Sequence, residues 1–287
     1  MPDTVPIVVE IADLRSAVAA TRARGSTIGF VPTMGALHEG HAALVRQGTR
    51  EAGFTVVSIF VNPTQFGPNE DLAKYPRTLD ADRETCRQAG ADLIFAPTVE
   101  TMYPAGAVTT VEVGELDRHL CGPRRPGHFR GVCTVVAKLF NLVQPDVAIF
   151  GRKDAQQLRI LQRMTIDLNF PVRIVAGDTV READGLAMSS RNRYLKATER
   201  GHAAMIFRSL TKLRERAHRD DDVRSLESLL KGDLASIPGA RIDYAQIVDD
   251  ATLQPLDRLD RPALAAVAVF VGTTRLIDNI ELPVPRS

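Results

Sequence analysis

Short apolar runs alternate with helical stretches along the first part of this 287-residue chain, and that alternation restricts the fold more than any other feature. Val5 to Ile11 reads as a strand, and Ala12 to Arg24 as a helix with Leu14 and Val18 inward. Ile28 to Val31 reads as a short buried strand, and from about Leu37 the pattern turns helical. Val56 to Val61, Leu93 to Ala96, Val108 to Val113, Val147 to Phe150 and Val172 to Val175 are further strands by the same criterion. Leu79 to Ala89, Gly131 to Val143 and Asp154 to Asn169 read as helices. Near-continuous apolar strands joined through helices predict a parallel sheet covered on both faces, an α/β fold. Ligands of such sheets sit at the carboxyl ends of the strands. Three strands run there into polar or glycine-rich loops: Val31 into Pro-Thr-Met-Gly, Val61 into the turn-rich Asn62–Asn69, and Phe150 into Gly-Arg-Lys-Asp.

The first of these loops is the most suggestive. Gly35 lets the backbone pass close to a neighbour, and a helix start follows, so free N–H groups and the helix dipole are expected to face an anion there. His38 and His41 are three apart and share one face of the first turn. Two imidazoles beside such a turn suggest nucleotide phosphates. Strand–glycine–helix turns also occur in many α/β proteins with nothing bound. A zinc pair is a second alternative, but the His-Glu-x-x-His spacing is missing.

After about Asp178 the pattern changes. A polar segment, Arg181 to Arg193, precedes an amphipathic helix from Ala197 to His218, a helix from Val223 to Ala235, and strands Ile242 to Val248 and Leu264 to Val271. This predicts a larger domain over 1–178 and a smaller α+β domain over 179–287. A net charge of +1 offers no overall basic field for nucleic acid or an anionic membrane. The longest apolar run, Leu264 to Val271, is far too short to span a bilayer. Cys86, Cys121 and Cys133 have no metal-like spacing and leave one thiol over, which fits a reducing cytoplasm.

Several residues have the chemistry for such a cleft. Lys153 precedes a helix and can meet phosphate, while Asp154 can accept from ribose hydroxyls; a solvated lysine and an N-cap aspartate fit equally well. Ser189, Ser190 and Arg191 offer hydroxyls and a guanidinium in a flexible loop, suited to a lid or to an ordinary turn. Gln65 and Gln157 can bond a substrate hydroxyl or carboxylate. Arg124, Arg125, His128 and Arg130 form a basic cluster whose default is a solvated loop. The run Asp80, Asp82, Glu84 reads mostly as surface charge.

Pro32-Thr-Met-Gly-Ala-Leu-His-Glu-Gly-His41 resembles the signature of the pantoate–β-alanine ligase (pantothenate synthetase) family, and His38-Glu-Gly-His41 resembles the His-x-Gly-His motif of the wider nucleotidyltransferase superfamily. Ser58–Phe66, Arg125–Gly131, Phe150–Gln157, Asp184–Asn192 and Leu276–Asn279 match in the expected order, so the resemblance spans essentially the whole chain. The family often has Glu where Arg152 stands and an aromatic where Ala155 stands.

The resemblance implies a Rossmann-like nucleotidyltransferase domain, a smaller C-terminal domain that acts as a lid, and a cytoplasmic homodimer. It implies the joining of (R)-pantoate to β-alanine with ATP and Mg²⁺, the metal arriving on the ATP phosphates and its ligands unknown. By resemblance His41 is the proton donor with His38 beside it, and Lys153 and Arg191 complete the catalytic set. Met34, Gly35, Ala36, Leu37, His38, Glu39, Gly40 and His41 would hold ATP, with Gly151, Arg152, Lys153, Asp154, Val180, Met188, Ser189, Ser190 and Arg191. Gln65, Gln157 and Asn62 would meet pantoate and β-alanine. Another superfamily adenylyltransferase would explain the histidines but not the stretches 62–66 and 151–157. A turnover-free nucleotide-binding regulator is disfavoured by intact His38, His41, Lys153 and Arg191, and an RNA-binding module by the near-neutral charge.

Overall fold

Six parallel strands realise the predicted alternation in the computed structural model, which describes residues 4–68, 70, 72–218, 222–282 and 284. Asn69, the last residue of the expected loop after Val61, lies outside the described residues. The chain forms two units. One takes in the residues up to Val113, Arg125–Arg152 and Ile160–Asp178; the other takes in Gly114–Arg124, Lys153–Arg159 and the chain from Thr179 onward.

The first unit runs β1 (Ile7–Val8), α1 (Ile11–Ala23), β2 (Ile28–Thr33), α2 (Glu39–Glu51), β3 (Phe54–Ile59), α3 (Leu79–Ala89), β4 (Leu93–Phe95), α4 (Val99–Met102), α5 (His128–Val143), β5 (Val147–Gly151), α6 (Ala155–Asp167) and β6 (Arg173–Gly177); the opening residues of α6 belong to the second unit. The sheet order is β1-β4-β3-β2-β5-β6. The chain builds outward from β2 through β3 to β4, then returns to place β5 on the other side of β2, pairing Gly29 with Val147 and Phe30 with Ala148. That reversal puts a topological switch point at the carboxyl ends of β2 and β5, where open α/β sheets bind ligands.

Both faces of the sheet are covered. On one, Val31, Val57, Ile94 and Ile149 pack with Ala42 and Val45 of α2 and Cys86 of α3. On the other, Phe140 of α5 meets Phe30 and Phe150 edge-on, each 6.4 Å between ring centroids, and Phe170 at 5.5 Å. Two expectations are corrected here. The opening strand is only Ile7–Val8, because Ile11 already begins α1. Val108–Val113 forms no strand; Val108 is 89% exposed, and the segment is held instead by the Val111 N–H donating to Thr134 Oγ1 at 3.0 Å.

The second unit holds α7 (Ala197–Ala203), α8 (Met205–Ala217), α9 (Val223–Ala235) and an antiparallel sheet of β7 (Ala240–Asp249), β8 (Ala263–Val271) and β9 (Thr274–Leu282), in that order. Leu210 and Leu213 of α8 and Leu226 and Leu230 of α9 bury against Val267, Val269, Leu276 and Ile280. The helix expected over 197–218 is two helices that meet at Ala204, whose backbone stays near helical (φ −65°, ψ −21°). The third strand, β9, was unread in the sequence. Its burial alternates with period two, but Asp278 occupies an inward position, only 5% exposed, and interrupts the apolar pattern.

Candidate active site

The turn between β2 and α2 begins at Met34 and is closed by its own chemistry. Gly35 has φ +82° and Ala36 φ +51°, both in the left-handed region. Asp82 of α3, only 2% exposed, accepts from the Ala36 N–H at 3.0 Å, the Leu37 N–H at 2.7 Å and the Thr78 hydroxyl at 3.2 Å. A Cβ on Gly35 would lie 3.0 Å from Asp82 Oδ2 and 3.1 Å from Ile59, so both would have to give by a few tenths of an ångström, on top of the strain of a positive φ. Asp82 is therefore not surface charge. It falls on the inward stripe Asp82, Cys86, Ala89 of α3, and that spacing was the available signal.

The two histidines come together at the start of α2. His38 is the N-cap, and its Nδ1 accepts from the Gly40 N–H at 3.1 Å; His41 Nδ1 accepts from the His38 N–H at 3.3 Å. The rings lie 4.1 Å apart at 44°. A ring nitrogen that accepts carries no proton, so each neutral imidazole holds its proton on Nε2 and offers it as a donor. This corrects the expectation of free backbone N–H groups at the turn: those of Ala36, Leu37, His38 and Gly40 all have partners inside the protein.

At the end of β3 a directional chain of amides orients Gln65. Tyr103 donates its hydroxyl to Asn62 Oδ1 at 2.9 Å, and Asn62 Nδ2 donates to Gln65 Oε1 at 3.1 Å and to the Gly131 carbonyl at 3.1 Å. Burial raises the pKa of Tyr103, the Thr64 hydroxyl opposing it, which keeps the phenol a donor. Gln65 therefore presents Nε2, which lies 2.9 Å from Met34 Sδ. Gly131 permits this packing: a Cβ there would overlap Thr64 and come within 2.8 Å of Gln65 Cα. Asn62 is 1% exposed and engaged at both ends of its amide, one end holding Gln65.

Part of the basic loop that read as solvated is built into this support. His128, 8% exposed, donates from Nδ1 to the Gln65 carbonyl at 2.8 Å, and its Nε2 accepts from Arg125 Nη1 at 3.0 Å. Arg125 in turn holds Glu70 at 2.5 Å. Burial raises the Glu70 pKa, but hydrogen bonding and charge from Arg125 outweigh it and the net shift is downward.

In the second unit, Lys153 and Ser189 line one small pocket together with Ala187, Leu276 and Asp278. The expected flexible loop is a tight hairpin. Met188 N–H donates to the Val180 carbonyl at 2.9 Å, Arg181 bridges to Ala187, and Gly185 turns the chain at φ +96°. Ser189 Oγ accepts from the Arg191 N–H at 3.2 Å and starts the short helical turn Ser190–Tyr194. Asn192 Nδ2 donates to Glu182 at 2.8 Å, and Arg200 pairs with both Glu182 and Asp184, the latter at 2.9 Å. Asp154 is exposed and Gln157 half-buried. Gln156 beside it was passed over by the sequence reading; it accepts from the Cys121 N–H at 2.9 Å and donates to the Leu116 carbonyl at 2.8 Å. Arg152, where the family often has Glu, pairs with Asp178 at 3.4 Å in the first unit, and Ala155 is buried. Among the described residues no group of three or more His, Cys, Asp or Glu is placed to hold a metal, and no helix is long and apolar enough to cross a membrane.

A doubly covered parallel sheet of this order, with paired imidazoles on the turn beside its switch point, defines a Rossmann-like α/β enzyme. The model of the pantoate–beta-alanine ligase family matches residues 6–281, and the chain belongs to that family. It is 53% identical to the pantothenate synthetase of Syntrophotalea carbinolica over 274 residues, covering 95% of this chain and 97% of the relative. The crystal structure of pantothenate synthetase from Thermus thermophilus superposes with a TM-score of 0.92 at 48% identity, covering 97% of this chain and all of that one. A pantoate–beta-alanine ligase from Francisella tularensis, crystallised with beta-gamma ATP and beta-alanine, gives 0.79 at 33% identity, covering 96% and 97%.

Proposed function

We propose that this chain condenses (R)-pantoate with β-alanine at the expense of ATP, by way of a pantoyl adenylate, releasing pyrophosphate and then AMP. The observation that carries this reading is the pair of Nε2–H imidazoles on the β2–α2 turn with the Gln65 amide directed to the same strand end, in a chain that matches the ligase family from residue 6 to 281. The first step suits such a site. A carboxylate with a pKa of roughly 4 is already ionised at neutral pH, so its attack on the α-phosphate needs positioning and charge neutralisation rather than a base. His41, with His38 beside it, donates to the phosphate oxygens as charge develops there. Lys153 and Arg191 neutralise phosphate, Ser189 and Ser190 bond it, and Asp154 accepts from ribose. Met34 to Leu37, Glu39, Gly40, Gly151, Arg152, Val180 and Met188 shape the rest of the nucleotide site. Gln65 and Gln157 hold pantoate, and Asn62 fixes Gln65. In the second step the amine of β-alanine attacks the acyl carbon and AMP leaves.

The adenylate must be kept from water until the amine arrives, a task we assign to residues 179–287 as a lid. The same reading places Mg²⁺ on the ATP phosphates as part of the substrate, and includes a homodimer in the cytoplasm, as the family resemblance implies.

The test follows pyrophosphate and AMP from MgATP, with pantoate and β-alanine supplied singly and together. Pyrophosphate is expected with pantoate alone, at most stoichiometric with enzyme in a burst, and sustained AMP and pantothenate only when β-alanine is added. His41→Ala should lose most of the first step. Tight ATP binding with no turnover on either substrate would sink the ligase reading.

A further inference from the structure

Strand β9 bonds to both segments of the second unit that the proposed function assigns to the ATP phosphates. Asn279 donates from Nδ2 to the carbonyl of Lys153 at 2.9 Å. Its neighbour Asp278 takes Arg181 in a bidentate pair at 2.7 and 2.9 Å, and Arg181 also donates to the Gly185 carbonyl at 3.1 Å. The Arg181 guanidinium sits over Phe207, 3.6 Å from the ring centroid, so the ring holds it as well as the carboxylate. Adjacent residues of a strand point to opposite faces. One face of β9 thus grips the turn that carries Lys153, and the other grips the hairpin that pairs Val180 with Met188 and leads into Ser189–Arg191. The strand itself is locked to β8, with Asp278 opposite Val267 and Asn279 opposite Ala266.

We propose that Asp278 and Asn279 are positioning residues that set the spacing of Lys153 from Ser189–Arg191, so that ammonium, hydroxyls and guanidinium meet one polyphosphate. Lys153, Ser189 and Asp278 border the same small crevice, so the two segments and the strand that joins them are close neighbours. The carboxylate is kept from repelling phosphate because Arg181 neutralises it at a site where Asp278 is 5% exposed. The inference rests on the reading that Lys153 and Ser189–Arg191 meet the ATP phosphates.

The test is a double-mutant cycle read by steady-state kinetics and by MgATP calorimetry. Asn279→Ala should weaken ATP by about tenfold in KM and Kd, leaving the KM values for pantoate and β-alanine unchanged. In a Lys153→Ala background the same change should add almost nothing, because the ammonium it positions has been removed. Asp278→Asn should behave likewise against Arg191→Ala. Asn279→Ser is the milder variant should Asn279→Ala fold poorly. An effect of full size in the Lys153→Ala background, equal losses for ATP and pantoate, or a lower Tm with ATP affinity intact would each overturn the proposal. Wild-type protein that binds MgATP but turns over nothing would defeat the ligase reading alone, since the calorimetric cycle still measures positioning. Failure of the wild type to bind MgATP would defeat both.

Discussion

The turn Met34–His41 and the hairpin Val180–Arg191 carry comparable groups but are held in opposite ways. The turn is held by backbone N–H groups bonded to buried or ring acceptors: two to Asp82, one to each histidine Nδ1. The hairpin has backbone bonds of its own and the buried Arg181–Asp278 pair, but its far side is held by charge between side chains that water still reaches. Arg200 is 29% exposed and shared by Glu182 and Asp184, themselves 30% and 35% exposed. A buried N–H that loses its acceptor has no substitute, whereas a half-exposed cation with two carboxylates keeps one when the other is removed. The turn is therefore expected to be rigid and intolerant, and the hairpin adjustable.

Removing the carboxylate of the turn is the harshest way to try that contrast. Asp82→Asn keeps the shape but places an NH₂ where one of the two N–H groups needs an acceptor. Leaving one or two such groups unsatisfied costs about 1–3 kcal/mol each. Displacing the turn should also lower kcat/KM for ATP by about a hundredfold, since a misplacement of about 1 Å has that scale of effect. Urea unfolding and initial rates measure both, and near-native values for Asp82→Asn would show that the turn does not depend on this carboxylate.

The matching change in the hairpin should be much milder. Glu182→Gln leaves Arg200 paired with Asp184 and retains a carbonyl for Asn192. Its expected cost is about 0.2–1 kcal/mol, as for part-exposed ion pairs, with a rise in the ATP KM of roughly twofold to threefold. A loss equal to that of Asp82→Asn would erase the distinction between the two regions.

What could be read in the sequence follows the same division. Strand positions and the reactive groups at their ends were legible because both are local: a run of apolar residues, a glycine, two histidines three apart. The braces were not, because each joins residues remote in the chain. Asp82 is 46 positions from Ala36, and Asn279 is 126 from Lys153. Locally Asp82 resembles its neighbours Asp80 and Glu84, and only its place on the stripe with Cys86 and Ala89 sets it apart. Asp278 concealed a strand for the related reason that an inward carboxylate breaks the apolar alternation, and the guanidinium of Arg181 makes it tolerable there. His128 looked like one more cation in a basic loop until its Nδ1 was found on the Gln65 carbonyl.

The Arg125–Glu70 pair sharpens the comparison because it sets a charge interaction behind Gln65, whose other supports are the amide of Asn62 and the imidazole of His128. The Glu70 pKa in the folded protein lies below its ordinary value of 4.5, so folding favours the ionised form. The unfolded chain then binds the proton more readily, and the stability contributed by Glu70 is fully present above pH 4.5 and fades as the pH falls below that value through the folded pKa. The side chains are 18% and 24% exposed, and after solvent screening the pair should contribute under about 1 kcal/mol. Thermal melts of wild type and Glu70→Gln should differ slightly at pH 7 and converge as the pH is lowered past 4.5. A gap that stays constant down to pH 3, about 1.5 units lower, would mean that the glutamine lost shape rather than charge. Because Arg125 also steadies His128 and through it Gln65, the pantoate KM of Glu70→Gln should rise by no more than about twofold. A rise as large as the ATP defect of Asp82→Asn would place a charge pair among the rigid supports of the site, and the line between its two kinds of bracing would have to be redrawn.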